Sequence, residues 1–242
     1  MSQFFNSPGS GYNDSLVPGV RSDALEQRNF MAKVFGWMSV GLLITGIVAL
    51  LVSGDKKFVD SLAQGGYWIV IIAQFGLLIW FSAGINRISA GLATILFLAY
   101  SAMTGLTFSI LFLIYTQASI SSTFFITAGT FGSMALYGYM TKRDLTGLGH
   151  YAGMALWGVI IAMVVNFFMH STGMQAIINI VGVLVFVALT AYDVQKAKFM
   201  YLVGPDGSHA SQKAAVSAAL NLYLDFINMF LFLLMMFGQQ RE

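Results

Sequence analysis

Two carboxylates stand in otherwise apolar sequence. Asp193 lies in Val187-Ala188-Leu189-Thr190-Ala191-Tyr192-Asp193-Val194-Gln195, and Asp225 in Asn221-Leu222-Tyr223-Leu224-Asp225-Phe226-Ile227-Asn228. An ionised carboxylate at the centre of a membrane helix costs about 2.5–3.5 kcal/mol on insertion scales. A chain tolerates that cost where the group is paired, protonated or lining a wet cavity. If the two acids meet, they share one proton and titrate as a unit. Such a pair is proton-bridged in acid and a dianionic cation site in alkali. Its hard oxygens suit Ca²⁺, although two carboxylates fall short of the usual set of about six to eight ligands. The alternative is that each acid only hydrogen-bonds a neighbouring helix.

The elements that must position these acids are membrane spans. Of 242 residues, 57% are hydrophobic and 9% charged, with mean hydropathy +0.76, whereas soluble domains carry about 25% charged residues. Windows of about 20 apolar residues predict seven spans, near 31–53, 67–85, 90–114, 119–140, 150–170, 174–198 and 214–238. The expected fold is an all-α integral membrane protein. Its seven-helix bundle occupies residues 29–242, behind a flexible polar tail over 1–28 that lacks a cleavable signal pattern. Pro8, Pro18 and Pro205 fall in the tail or a loop, so proline breaks no span.

Nine basic residues (Arg21, Arg28, Lys33, Arg87, Lys142, Arg143, Lys196, Lys198, Lys213) fall on the N-terminal side of the bundle, and three (Lys56, Lys57, Arg241) on the other. That bias predicts a cytoplasmic N-terminus and an external C-terminus. The absence of cysteine excludes disulfides, thiol catalysis and zinc–thiolate sites, and a net charge of +2 without a basic cluster argues against nucleic acid.

Asp193 and Asp225 sit on consecutive spans joined by a loop of about fifteen residues, long enough for an antiparallel hairpin. Counted along the helices, Asp225 is roughly 16 Å from the loop side and Asp193 nearer 8 Å, so spacing leaves contact open. Asn221, Asp225 and Asn228 recur at i, i+4 and i+7, a polar stripe expected to face the bundle interior. Arg87 occupies the short turn before the third span, on the side of Asp193. It either snorkels toward an acid or serves as a topogenic charge. Lys142-Arg143-Asp144 reads as topogenic, and His150, His170 and His209 show no metal spacing. Gly149-xxx-Gly153 and Ala215-xxx-Ala219 read as close helix packing.

An intramembrane aspartyl protease also uses two acids on neighbouring helices, and Tyr192-Asp193 matches half of its signature. The other half should read Gly-x-Gly-Asp, where this chain has Leu222-Tyr223-Leu224-Asp225. No Ser/His dyad or phosphate loop stands out, so the chain is read as a non-enzyme without a cofactor.

Ser101-Ala102-Met103-Thr104-Gly105-Leu106-Thr107-Phe108, Tyr137 to Leu145, Leu189 to Lys196 and Leu222 to Asn228 resemble the transmembrane Bax inhibitor motif (Bax inhibitor-1-like) family in its bacterial branch. The likeness covers about residues 25–238. It implies a seven-helix protein of the bacterial inner membrane and a pH-sensitive Ca²⁺ leak through it. It further implies a di-aspartyl sensor on the sixth and seventh helices, here Asp193 and Asp225, and an arginine latch at the position of Arg87. Family members are also described as non-conducting regulators that bind a membrane protease complex or another membrane protein. That is the alternative reading.

Overall fold

A computed structural model describes residues 18–85, 87–203 and 208–241. These form nine α-helices: α1 (Pro18–Ser53), α2 (Lys56–Ser61), α3 (Tyr67–Gly84), α4 (Ala90–Ser109), α5 (Leu111–Ile114), α6 (Gln117–Met140), α7 (Thr146–Met169), α8 (Thr172–Phe199) and α9 (His209–Phe237). Hydroxyl side chains cap four long helices at their first turns: Ser89 for α4, Thr116 for α6, Ser171 for α8 and Ser208 for α9. Each satisfies an amide that has no partner within its helix. α7 stops where His170 turns left-handed, at φ 50°.

The all-α bundle agrees with the sequence reading, and its boundaries differ in two places. α1 begins at Pro18, which shortens the tail expected over 1–28; residues 1–17 lie outside the described residues. Proline is tolerated in a first helical turn, and Ala24, Leu25, Glu26, Gln27 and Arg28 are good helix formers. Gln27 also ties the extension down, its Nε2 donating to the Lys198 carbonyl at 3.2 Å. The connection expected before the second span is itself helical. Asp55 caps α2 through the Phe58 amide at 3.2 Å, and a π turn over Leu62–Gly66, non-helical at Gly65, bends the rod into α3.

Among the described residues, six helical rods are long and apolar enough to cross a membrane. The seventh, α6, is less apolar because serine and threonine recur along it. Its polar atoms are satisfied internally: the hydroxyls of Thr127, Thr130 and Ser133 donate to carbonyls four residues back at 2.8, 2.9 and 2.8 Å. Its 24 residues reach about 36 Å, enough for a hydrocarbon layer of about 30 Å. With α6 counted among them, seven crossings would put the two ends of the described chain on opposite faces. A reporter fused after Glu242 is therefore expected to be active outside the cytoplasm and one near Lys142 inside it. A cytoplasmic signal from the C-terminal fusion would remove one crossing.

α9 is the axis of the bundle. It is buried along most of its length and packs against α1, α4, α6 and α8. The outer helices turn large apolar side chains outward, among them Trp68, Ile69, Phe125, Trp157 and Phe168, as a hydrocarbon solvent requires. Beside Asp193, α8 is held closely on two sides. A Cβ on Gly138 of α6 would strike the Ala191 carbonyl oxygen, and one on Gly149 of α7 would enter the Tyr192 ring. Gly149 is thus a packing position as its spacing suggested, while Gly153 faces open space.

The C-terminal end is clipped to the loop before α6. Tyr115 and Gln240 form an isolated backbone bridge, with Thr116 N donating to Gln239 O at 3.0 Å and Arg241 N to Ile114 O at 2.8 Å. Ser119 Oγ accepts from Gln239 N at 2.9 Å. Burial pushes the Tyr115 hydroxyl above its ordinary pKa, opposed by its hydrogen bond with Gln240.

Candidate functional site

The antiparallel packing of α8 on α9 brings the two acids together. Phe186 of α8 stacks on Phe232 of α9, ring centroids 6.0 Å apart, and the Phe232 ring lies where a Cβ on Gly182 would be. Each of these phenylalanines is seven residues from the aspartate of its own helix, two turns along the same face. Aligning one pair aligns the other, and the carboxyl groups of Asp193 and Asp225 come side by side, close enough to interact directly. At that range two carboxyls can hydrogen-bond to each other only if one of them carries a proton.

Their surroundings differ. Asp225 is 4% exposed and its Oδ2 has no hydrogen-bond partner among the described residues. Asp193 is half-buried, and the ammonium of Lys196, one turn further along α8, acts on it. Lys196 was not singled out from sequence, yet its i+3 spacing from Asp193 was the available signal. The next residues pin this end of α8. Gln195 accepts from the Leu145 amide and donates to the Arg143 carbonyl, both at 2.8 Å, while Lys198 Nζ donates to Tyr139 O at 2.9 Å.

The remaining predicted residues are placed as follows. Arg87 is exposed in the turn between α3 and α4, its amide donating to Gly84 O at 2.8 Å. No acid among the described residues pairs with its guanidinium. Lys213, at the start of α9, reaches the adjacent Ile88 carbonyl at 3.4 Å, so this rim is basic. Asn221 and Asn228 are half-buried. Asn228 Nδ2 donates to the Leu224 carbonyl at 2.8 Å and so satisfies its own helix. Asp144 lies in the loop before α7, where the Thr146 hydroxyl and amide hold its carboxyl below the usual range.

A second polar cluster escaped the sequence reading. Thr45 of α1, Ser101 and Thr104 of α4 and Tyr223 of α9 meet in the core. Thr45 Oγ1 lies 2.7 Å from the Tyr223 hydroxyl and 2.9 Å from the Ser101 carbonyl. Gln74 Nε2 of α3 donates to Thr104 Oγ1 at 3.0 Å. Tyr223 is completely buried. Its helix neighbours are apolar, and its partners lie far away in sequence, so no local pattern marks it.

As a cation site, the acid pair supplies up to four oxygens. Groups of three or more His, Cys, Asp or Glu placed to hold a metal are absent among the described residues. A Ca²⁺ ion there would complete its shell with water and backbone carbonyls, which suits brief occupancy better than storage.

Comparison with known proteins places the whole helical region. Residues 27–242 match the family described as inhibitor of apoptosis-promoting Bax1. The chain is 47% identical to inner membrane protein YbhL of Escherichia coli over 229 residues, covering 91% of this chain and 98% of that protein. It is equally 47% identical over 224 residues to an uncharacterized protein of Borreliella burgdorferi, covering 92% and 97%. An uncharacterized protein of Rickettsia prowazekii, RP147, is 40% identical over 234 residues, covering 96% and 99%. With nearly all of its length matched in this way, the chain belongs to the Bax inhibitor family of multi-pass membrane proteins.

Proposed function

We propose that this protein is a pH-sensitive Ca²⁺ leak pathway of the bacterial inner membrane, with Asp193 and Asp225 as sensor and transient cation ligands. The observation that carries the reading is the contact between the two carboxyls, with one oxygen of Asp225 left unpaired in an apolar core. While a proton is shared, it bridges α8 to α9 and leaves the pair a single negative charge, a weak site for a divalent cation. Once it is lost, two like charges face each other in a medium of low dielectric, and a divalent cation is the counter-charge that relieves them. Proton and Ca²⁺ then compete for the same oxygens. The test is Ca²⁺ flux into liposomes holding the purified protein, measured across pH. Absence of flux at every pH would leave the non-conducting regulator as the reading.

Arg87 is proposed as a latch that closes the path by pairing with Asp193. In the conformation described, the arginine is disengaged. The element free to carry it is α3, which packs chiefly on α4 and buries only Phe81 among its side chains. Arg87→Ala is expected to raise Ca²⁺ leak at neutral pH several-fold, with the fold unaffected because the side chain is exposed. Wild-type flux from a correctly inserted variant would assign the residue to topology alone.

A further inference from the structure

One face of α8 carries the acid and most of the polar side chains above it. Gln175, Asn179, Gly182, Phe186, Thr190 and Asp193 fall within about 80° of arc on a helix of 3.6 residues per turn. Two contacts set this face against α9: the Phe232 ring lies where a Cβ on Gly182 would be, and Phe186 stacks on it at 6.0 Å. The opposite face presents the exposed apolar side chains of Ile177, Ile180 and Leu184.

From the C-terminal side inward, this seam begins with amides. Asn166, near the end of α7, donates through Nδ2 to Gln175 Oε1 at 3.0 Å, and Gln175 Nε2 donates to Asn179 Oδ1 at 2.8 Å. The first bond ties two helices together. The second lies within α8 and ties none, so it carries the amide chain one turn deeper, to a side chain only 3% exposed. The two rings close the seam about 10 Å further in, and the acid pair follows about 10 Å beyond them. Thr190 stands on the acids' side of the rings, its hydroxyl donating to Phe186 O at 2.7 Å. Carboxamide oxygens replace water around a passing cation, and an apolar constriction stops one by excluding water.

We propose that the α8–α9 seam is a route for water and ions. Asn166, Gln175 and Asn179 line its outer half, and the Phe186–Phe232 pair is the dewetting barrier between that half and the acids. The assignment of the ion as Ca²⁺ rests on the leak reading above; the path does not.

The chain has no cysteine, so single cysteines in the full-length protein report access directly. In proteoliposomes treated with a membrane-impermeant methanethiosulfonate reagent, Asn179→Cys is expected to react from the C-terminal side only. Thr190→Cys should react from the opposite side only. Val185→Cys and Val194→Cys are the controls, since both positions are buried on α8 but lie off the polar face, and neither should react. Phe232→Ala should speed the reaction of Thr190→Cys from the C-terminal side roughly ten-fold, because removing the constriction admits water, and should raise Ca²⁺ leak with it. An unchanged rate in folded Phe232→Ala overturns the barrier, and if that variant fails to fold the single-cysteine map decides alone. Reaction at none of the four positions, or at all four alike, overturns the route; Ca²⁺ flux in the same protein then leaves the leak reading standing with its path elsewhere. The expected map without Ca²⁺ flux at any pH keeps the seam and overturns the leak reading.

Discussion

Asp193→Asn and Asp225→Asn should each abolish the pH dependence of Ca²⁺ flux, and the double variant should be little worse than either alone. The two carboxyls lie side by side and can hydrogen-bond only by sharing a proton, so the switch belongs to the pair and not to either residue. Replacing one acid by an amide keeps the size and a hydrogen-bonding group, and the helix contact persists at every pH. Charge repulsion between α8 and α9 then cannot arise, and the dianionic cation site cannot form. Groups acting as one unit show non-additive losses, whereas two independent packing acids give losses that add. Flux from reconstituted single and double variants, measured over the same pH range, separates the cases. A full pH response in either single variant would remove both acids from the mechanism.

Gly138→Ala should destabilise the bundle by about 3 kcal/mol, the upper end of the ordinary cost of overpacking. The added methyl meets the Ala191 carbonyl oxygen and the backbone carbons beside it. Backbone cannot rotate out of the way as a flexible side chain can, so α6 and α8 must separate. Asp193 lies two residues beyond Ala191, and the displacement should therefore disturb the acid pair as well as the fold. Gly132, earlier on the same helix, supplies the control: a Cβ there meets nothing within 4 Å. Gly132→Ala is expected to be neutral or slightly stabilising, since alanine is the better helix former by up to about 1 kcal/mol. Unfolding of the two variants in detergent, followed side by side, checks the difference. Equal stability would mean that the α6–α8 approach is slack.

Much of this architecture is legible in sequence because hydrocarbon imposes length and apolarity on whatever crosses it. The runs around Trp157 or Val183 announce their helices for that reason. The acids were visible as exceptions to the same rule. Their contact was less accessible, since counting residues from the loop placed Asp193 and Asp225 at different depths. The informative signal was the repeated interval of seven, Phe186 to Asp193 and Asp225 to Phe232, which acquires meaning only once α8 and α9 are known to be partners. Thr45, Ser101 and Tyr223 were invisible for a related reason: a hydroxyl in a membrane helix can bond its own backbone, and nothing local distinguishes one that bonds another helix. The helical start at Pro18 and the helix at Lys56 were missed because apolarity was the guide, and those segments are polar.

The position of α9 also sets an order of assembly. Chains enter the membrane N-terminus first as they are made, yet α9, against which α1, α4, α6 and α8 pack, emerges after all four. Until then α1, α4, α6 and α8 have no common partner, and Thr45 and Asp193 lack the contacts they make with Tyr223 and Asp225. The nascent protein is a ring awaiting its axle, and the segment after α9 then adds the backbone bonds of Gln239 and Arg241 to Thr116 and Ile114. A chain stopped short of α9 is therefore not a slightly smaller bundle but an open one, with Asp193 left without its partner acid and the inner faces of α1, α4, α6 and α8 uncovered.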